Sequence, residues 1–228
     1  MSIRPDGVER GRVALVLAAS CTVVVLLGVG VLARFGPQLR LDAAAGTAFY
    51  AGNHRPGWLN ALLQAVTAPG LTVFRAVVYL PVLAWLALRR WWSTLLWVSA
   101  AVLLIGPVTS GLKEAFGRPR PQYSGGGARL ASLSFPSGHS SGIATLVTVA
   151  LILAWPLLAP AARRWWVLMG AVPVVVVGLS RLWLGVHYLT DVVSGWALGI
   201  AWSLAVAWAL GGLPGGRAAL PRRGWVRA

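Results

Sequence analysis

Six long apolar segments constrain the fold of this 228-residue chain more than any other feature. A helix that crosses a bilayer needs roughly 20 mostly apolar residues. Residues 13–32 meet that length without a charged side chain, and five further segments follow at 71–88, 91–109, 140–158, 165–179 and 192–210. The sequence therefore predicts an all-α fold, a polytopic membrane helix bundle with six transmembrane helices, as a single integral membrane domain over residues 1–228.

The net charge of +15 raises a second possibility, which is binding to nucleic acid. The arginines, however, flank the apolar segments and do not form one basic patch. We therefore expect the lipid bilayer as the partner, and no nucleic acid. The single cysteine, Cys21, excludes an internal disulfide. The sequence does not indicate an oligomeric state.

Basic residues are distributed unequally between the two sides that six spans would define. Nine of the 20 lie on the side away from the termini, and four of these nine belong to the motifs below. By the positive-inside rule, the excess on the other side predicts a cytoplasmic N-terminus at 1–12 and a basic cytoplasmic tail at 211–228, in the plasma membrane of a bacterium. That tail is expected to be a solvated end. The basic residues on the side of the termini are Arg4, Arg10, Arg12, Arg89, Arg90, Arg163, Arg164, Arg217, Arg222, Arg223 and Arg227.

Two stretches have alternative interpretations. The first apolar segment could be a signal sequence cleaved near Ala43-Ala44-Ala45, although it exceeds the usual length of 7–15 residues. After it, Asp42 and His54 exclude a span, and the pattern at 58–66 suits a short helix in the membrane interface or a loop packed on the bundle. His54 is expected to be a loop histidine. The glycine-rich loop at 124–134 is either a gate or a plain linker.

The only lysine, Lys113, opens a run of basic residues and prolines that ends at Pro121. With Arg120 in this run and Arg181 downstream, positive charge gathers at the ends of spans, where a charged residue needs a reason. Arginine can hold two phosphate oxygens at once, and lysine acts as a point charge. This cluster favours a phosphate site.

A helix start and a histidine–aspartate pair complete the set. Ser137 and Gly138 directly precede the fourth span, where the free N–H groups of a helix N-terminus can hold an anion, with His139 at the edge. His187 and Asp191 are four residues apart, one helical turn, so Asp191 can fix the tautomer of His187 and leave one ring nitrogen free to attack. Two histidines could then divide the work of nucleophile and general acid.

Each element alone has a simpler interpretation. An i, i+4 histidine–aspartate pair is usually a plain helix contact, Ser-Gly-His is a helix cap, and Lys113 could merely snorkel. Together they are stronger, because all of them reach the same membrane face.

At these residues the chain resembles the type 2 phosphatidic acid phosphatase superfamily, in its membrane branch. The matching motifs are Lys113-x6-Arg120-Pro121, Pro136-Ser137-Gly138-His139 and Ser180-Arg181-x5-His187-x3-Asp191. They span about a third of the chain. Arg118-Pro119 is a second Arg-Pro pair, so Arg118 is a possible assistant to Arg120.

The resemblance implies a role for each motif residue. His187 would form a phosphohistidine, Asp191 would orient it, and His139 would protonate the leaving alkoxide and then activate water. The phosphoryl oxygens would be held by Lys113, Arg120, Ser137, Gly138 and Arg181. No metal and no other cofactor is implied, and near the site only Glu114 adds a second acid to Asp191, whereas a two-metal site needs several.

The expected function is hydrolysis of a lipid phosphate or diphosphate at the extracytoplasmic face. Phosphatidate, phosphatidylglycerol phosphate and an isoprenyl diphosphate such as undecaprenyl diphosphate are the candidate substrates, and the sequence does not rank them. The alternatives are a small transporter, a catalytically silent lipid-phosphate-binding homologue and a vanadate-dependent peroxidase. A transporter would carry polar residues in mid-span, where the later segments are apolar, and the peroxidases are soluble and larger.

Overall fold

The computed structural model describes residues 7–52, 54–123 and 132–221, and this part of the chain is helical, as predicted. Two 3-10 turns, Ala68–Gly70 and Trp155–Leu157, extend the third and sixth helices. The helices are α1 (Gly7–Leu32), α2 (Gly36–Phe49), α3 (Gly57–Thr67), α4 (Thr72–Leu88), α5 (Trp92–Phe116), α6 (Gly138–Ala154), α7 (Pro160–Trp183) and α8 (Leu189–Ala209).

Five of these helices are long and apolar enough to cross a membrane by themselves. They are α1, α5, α6 with its 3-10 turn, α7 and α8. The predicted second span corresponds to α4, whose 17 residues reach only about 26 Å. The predicted count of six is reached when α3 and α4, bent by 48° at Leu71, are taken as one broken span. The chain is an integral membrane protein.

The long helices alternate in direction and so define two ends of the bundle. We call the end that holds Lys113, Ser137, Arg181 and Asp191 the motif end, and the other the opposite end. Helices α5 and α7 both start at the opposite end, so Arg89, Arg90, Arg163 and Arg164 lie there together, as predicted.

The interior of the bundle differs from its lipid-facing surface in a way that suits a bilayer. Side chains on the outside of α1 and α4 are apolar and exposed, for example Leu26 and Leu80, each 65% exposed. Apolar surface needs no cover when the solvent is lipid. In the half toward the opposite end, the interior is an apolar cluster around Leu86, Trp97 and Val149.

Helices α6 and α8 pack closely along their length, and small residues permit it. A Cβ at Gly195 would lie 2.5 Å from the carbonyl oxygen of Ser137, and one at Gly199 would collide with the carbonyl oxygen of Ser141. Glycine lets backbones approach to this distance. Gly195 and Gly199 therefore permit the close packing that fixes the start of α6 against α8.

Two short helices, α2 and α3, pack over the motif end of the bundle. Helix α2 packs on α7 and α8, and α3 packs on α7, burying Leu63 against Leu184 and Val186. The stretch predicted at 58–66 is thus a helix packed on the bundle. His54 is exposed, in line with the expected loop position.

The prediction of a solvated C-terminal end is wrong for the part of the tail that the structure describes. Ala218 is buried, and its carbonyl accepts hydrogen bonds from Thr94 Oγ1 at 2.9 Å and Trp97 Nε1 at 3.1 Å. The reason is that a buried indole N–H needs an acceptor, and no free carbonyl remains within a helix interior. Residues 222–228 and most of the loop predicted at 124–134 lie outside the described residues.

Candidate active site

The end of α5 delivers the first cation. Gly117 adopts a left-handed conformation, with φ of 58°, and its N–H donates to the Lys113 carbonyl at 2.9 Å. Glycine tolerates this conformation best, so the helix ends there and the chain turns into the Arg-Pro segment. Lys113 Nζ donates to the carbonyl of Leu133 at 2.7 Å, which links α5 to the segment before α6.

Arg120 is held from three sides. Its Nε and one terminal nitrogen donate to the carbonyl and hydroxyl oxygens of Ser132, at 2.7 and 2.8 Å. The other terminal nitrogen donates to the Val186 carbonyl at 2.6 Å and lies 3.2 Å from His187 Nε2. The guanidinium is therefore oriented and directly contacts the histidine.

Ser137 is the N-cap of α6, as predicted. Its hydroxyl accepts from the N–H of Ser140 at 3.4 Å and from the Ser140 hydroxyl at 3.0 Å. Its own N–H donates to the Asp191 carbonyl at 2.9 Å. The first turn of α6 is thus tied to the first turn of α8, and the next two residues, Gly138 and His139, are half-buried at the helix N-terminus.

Arg181 lies in the last turn of α7 and is buried at 6% exposure. One terminal nitrogen donates to the Thr67 hydroxyl at 2.9 Å. Its Nε is buried and has no acceptor among the described residues. A buried N–H without a partner is costly, so this atom is suited to an anion's oxygen.

The hydrogen bonds of His187 assign its tautomer. Arginine only donates, so the contact from Arg120 makes Nε2 the acceptor and leaves the ring proton on Nδ1. Nδ1 in turn lies 3.3 Å from Asp191 Oδ2, the long end of the hydrogen-bond range. His187 precedes α8 instead of lying within it, so this predicted pair joins a loop residue to the first turn of a helix.

Burial lowers the pKa of His187 well below its usual 6.5, and the positive charges of Arg181, Arg120 and Lys113 lower it further. The imidazole is therefore neutral at physiological pH, as a nucleophile must be. Of these cations, Arg120 contacts the ring directly.

Asp191 is fully buried and shares its two oxygens between different partners. Oδ2 accepts from the Tyr188 N–H at 2.9 Å as well as facing His187, and Oδ1 accepts from Arg118 at 2.7 Å. A carboxylate with this many donors is fixed in orientation.

Arg118 forms an ion-pair network beside the cluster around His187. Its two terminal nitrogens donate to different carboxylates, Asp191 at 2.7 Å and Asp42 at 2.6 Å. These carboxylates raise its pKa above the ordinary value despite burial. The guanidinium also stacks on the Tyr188 ring, 3.9 Å from the centroid. Arg118, predicted as a possible assistant to Arg120, is therefore bound to two carboxylates instead.

A comparison with protein families identifies the family of the chain. The PAP2 superfamily profile matches residues 91–213, which is more than half of the chain and contains every motif residue. The chain belongs to the PAP2 superfamily. The predicted family and its enzyme class, a phosphatase, are thereby confirmed.

Individual PAP2 relatives support the same assignment. The chain is 31% identical to phosphatidylglycerophosphatase B of Bacillus subtilis over 64% of its own length and 72% of the relative's. It is 30% identical to an undecaprenyl-diphosphatase of Sulfolobus acidocaldarius, over 60% of this chain and 68% of that one.

Solved PAP2 structures show the same fold. The crystal structure of a transmembrane PAP2-type phosphatidylglycerolphosphate phosphatase from Bacillus subtilis aligns with a TM-score of 0.63 at 25% identity, covering 85% of this chain and 94% of that one. The Aquifex aeolicus LpxE structure aligns with a TM-score of 0.51 at 21% identity, covering 76% and 96%.

Sequence reasoning missed several residues that complete this PAP2 site. Asp42 entered it only as a reason to exclude a span, and Thr67, Gly70 and Thr190 did not enter at all. Gly70 packs so closely on His139 that a Cβ would lie 2.7 Å from the His139 carbonyl. The one available signal was Asp42 itself, one of only five acids in the chain.

That the site uses no metal remains a prediction from the sequence. Among the residues that the structure describes, no three His, Cys, Asp or Glu side chains are grouped closely enough to hold an ion. The charges that could meet a phosphate here belong to lysine and arginine side chains.

Proposed function

We propose that this PAP2 protein hydrolyses a lipid phosphate or diphosphate through a phosphohistidine at His187. The single observation that carries the proposal is the state of that ring. Nε2 lies 3.2 Å from Arg120, which can only donate, and Nδ1 lies 3.3 Å from Asp191 Oδ2, so the neutral ring offers its lone pair at Nε2. Nε2 can attack phosphorus once a phosphate oxygen replaces it as the acceptor of the hydrogen bond from Arg120.

In the first step, His187 Nε2 forms a bond to phosphorus and the bond from phosphorus to the lipid oxygen breaks. The leaving group is an alkoxide for a monoester and a lipid phosphate for a diphosphate. His139 donates the proton to that oxygen. Asp191 stabilises the positive charge that grows on the imidazole, because it accepts from Nδ1.

In the second step, water attacks the phosphohistidine. His139 takes a proton from the water, the bond between phosphorus and Nε2 breaks, and inorganic phosphate leaves with His187 restored. His139 lies half-buried at the start of α6, next to Ser137 and Gly138, where the phosphoryl oxygens are proposed to bind.

The phosphoryl oxygens would be held by Lys113, Arg120 and Arg181 and by the free N–H groups at Gly138. The three cations already lower the pKa of His187, so an anion beside it would be attracted. The unpartnered Nε of Arg181 supports this role most directly.

The names of the relatives narrow the substrate to a lipid. One is a phosphatidylglycerophosphatase and another an undecaprenyl-diphosphatase. We therefore propose phosphatidate, phosphatidylglycerol phosphate or an isoprenyl diphosphate as the substrate. The excess of arginine at the opposite end further supports a cytoplasmic location for the termini and an extracytoplasmic active site, in a bacterial plasma membrane.

The test is phosphate release by detergent-purified protein from these three lipids and a soluble aryl phosphate, with a chelator present. Wild-type protein is expected to release phosphate from at least one lipid. The His187→Ala variant is expected to be inactive while it elutes and melts like the wild type. Full activity of that variant, or activity that needs an added divalent ion, would contradict the mechanism.

A further inference from the structure

We propose that Asp42 is a positioning residue for this reaction, because it acts through Arg118 to orient Asp191 and hence His187. The inference rests on the proposed function and extends it to α2. Asp42 lies outside residues 91–213, the part of the chain that matches the PAP2 profile. It also belongs to none of the three motifs.

Asp42 is 2% exposed and contacts both Arg118 and Thr190. Its Oδ2 accepts from Arg118 at 2.6 Å and from the Thr190 hydroxyl at 2.7 Å, and its Oδ1 accepts from the Thr190 N–H at 2.9 Å. Thr190 is the residue before Asp191. Asp42 therefore fixes the first turn of α8 through the backbone as well as through Arg118.

The division of Arg118 between two carboxylates matters for the basicity of Asp191. In the present arrangement one terminal nitrogen serves Asp42 and the other serves Asp191 Oδ1, which leaves Oδ2 to face His187. If Asp42 is made neutral, the whole charge of the guanidinium falls on Asp191. That carboxylate then becomes a weaker acceptor for the Nδ1 proton, and His187 Nε2 becomes a poorer nucleophile.

Two further contacts hold the Arg118 guanidinium in place beside Asp191. Its guanidinium stacks on the Tyr188 ring at 3.9 Å, and it also donates to Thr190 Oγ1 at 2.9 Å. The expected effect is therefore electronic and geometric at His187. None of the predicted phosphate ligands contacts Asp42, so substrate binding is expected to be preserved.

The experiment compares Asp42→Asn, Arg118→Met and the double variant with wild-type protein in detergent. The matched control is Glu9→Gln, which removes a carboxylate paired with Arg163 at the opposite end. Two properties are measured: kcat and KM on the best lipid substrate, and the ¹⁵N and ¹H imidazole signals of labelled histidine. The His187 signal is identified by its loss in His187→Ala.

Asp42→Asn is expected to lower kcat by roughly 10- to 100-fold, the usual effect of removing a residue that orients a functional side chain. KM is expected to stay within about twofold of the wild-type value. The Nδ1 proton of His187 is expected to shift upfield as its hydrogen bond weakens. In the Arg118→Met background the same substitution is expected to change kcat by less than about twofold, because the asparagine side-chain oxygen can still accept from the Thr190 N–H. Glu9→Gln is expected to match the wild type.

Three results would overturn the proposal. These are an unchanged kcat with an unchanged His187 signal, a loss seen only in KM, or an equal loss with and without Arg118. If Asp42→Asn does not fold, the double variant, which leaves no unpaired guanidinium, is compared with Arg118→Met alone. Equal kcat in the two supports the proposal, and a further drop contradicts it. If wild-type protein releases no phosphate, the proposed function fails, and the histidine signal alone decides the role of Asp42.

Discussion

The two ends of the bundle each join an early helix to a later part of the chain by an arginine–carboxylate contact, but they do so under different conditions. At the opposite end, Arg163 meets Glu9 at 3.1 Å with side chains 22% and 34% exposed. At the motif end, Arg118 binds Asp42 and Asp191 at 2.6 and 2.7 Å, with all three side chains at most 7% exposed. Water can replace the first contact and has little access to the second.

The difference shows where this protein uses specific polar contacts. Near the opposite end the interior is held by apolar packing around Leu86 and Trp97, which tolerates exchange of one contact for another. Near the motif end the interior is polar, and each buried group depends on a particular partner. Catalysis and stability should therefore be coupled at one end only.

The largest expected effect comes from neutralising the carboxylate behind His187. Asp191→Asn is expected to lower kcat by roughly three orders of magnitude, because an amide there removes the acceptor that fixes the tautomer. Steady-state phosphate release measures this. Glu9→Gln, the same change at the opposite end, is expected to leave kcat intact. Near-wild-type turnover by Asp191→Asn would show that the motif end does not work as described.

Removal of each arginine tests the comparison through stability. Arg118→Met leaves two buried carboxylates without their shared cation and is expected to lower the free energy of unfolding by about 3–5 kcal/mol. Arg163→Met removes a partly exposed pair and is expected to cost about 0–1 kcal/mol. Unfolding in detergent, followed by tryptophan fluorescence, gives both values. Equal losses would remove the distinction between the ends.

A third test asks whether backbone packing also ties the site together. Gly195→Ala places a Cβ 2.5 Å from the Ser137 carbonyl and is expected to cost about 1–3 kcal/mol, with a loss of activity because the start of α6 moves. Gly111→Ala is the matched control, since nothing lies within 4 Å of a Cβ at that position of α5. If both variants melt at the same temperature, the packing of α6 on α8 does not constrain the site.

The smallest expected effect concerns pH. The pKa of His187 is lowered in the folded protein, so between that value and 6.5 only the unfolded chain binds the proton. Stability from this group is thus present above pH 6.5 and decreases as the pH falls, by about 1.4 kcal/mol at one unit below. The pH dependence of unfolding is compared between wild type and His187→Gln. An identical slope in both would contradict the lowered pKa.

Much of the fold could be predicted from the sequence because its signals are local. Runs of apolar residues located five spanning helices, and Ser137 was identified as a cap from its own neighbours. The three motifs also carry their spacing within the chain, so they could be matched to a family before any contact was known. The bend of 48° between α3 and α4 has no such local pattern and was missed.

The remainder of the site depends on contacts between distant positions. Thr190 and Asp42 are 148 residues apart, and Arg118 and Asp42 are 76 apart. A single sequence gives no sign of such a pairing, so Arg118 was predicted only as a possible assistant of Arg120, whereas its partners are carboxylates. The packed tail was missed for the same reason, because the acceptor for Trp97 is 121 residues further along the chain.

The distance in sequence between Asp42 and Thr190 has a consequence for biosynthesis. Helix α2 is made early, and the first turn of α8 is among the last parts of the bundle to be inserted in the membrane. Until then neither carboxylate of the network has its full set of donors, and His187 lacks the Asp191 carboxylate that orients it. A chain whose synthesis or insertion stops early is therefore inert toward the lipids around it, and hydrolysis begins only when assembly is complete.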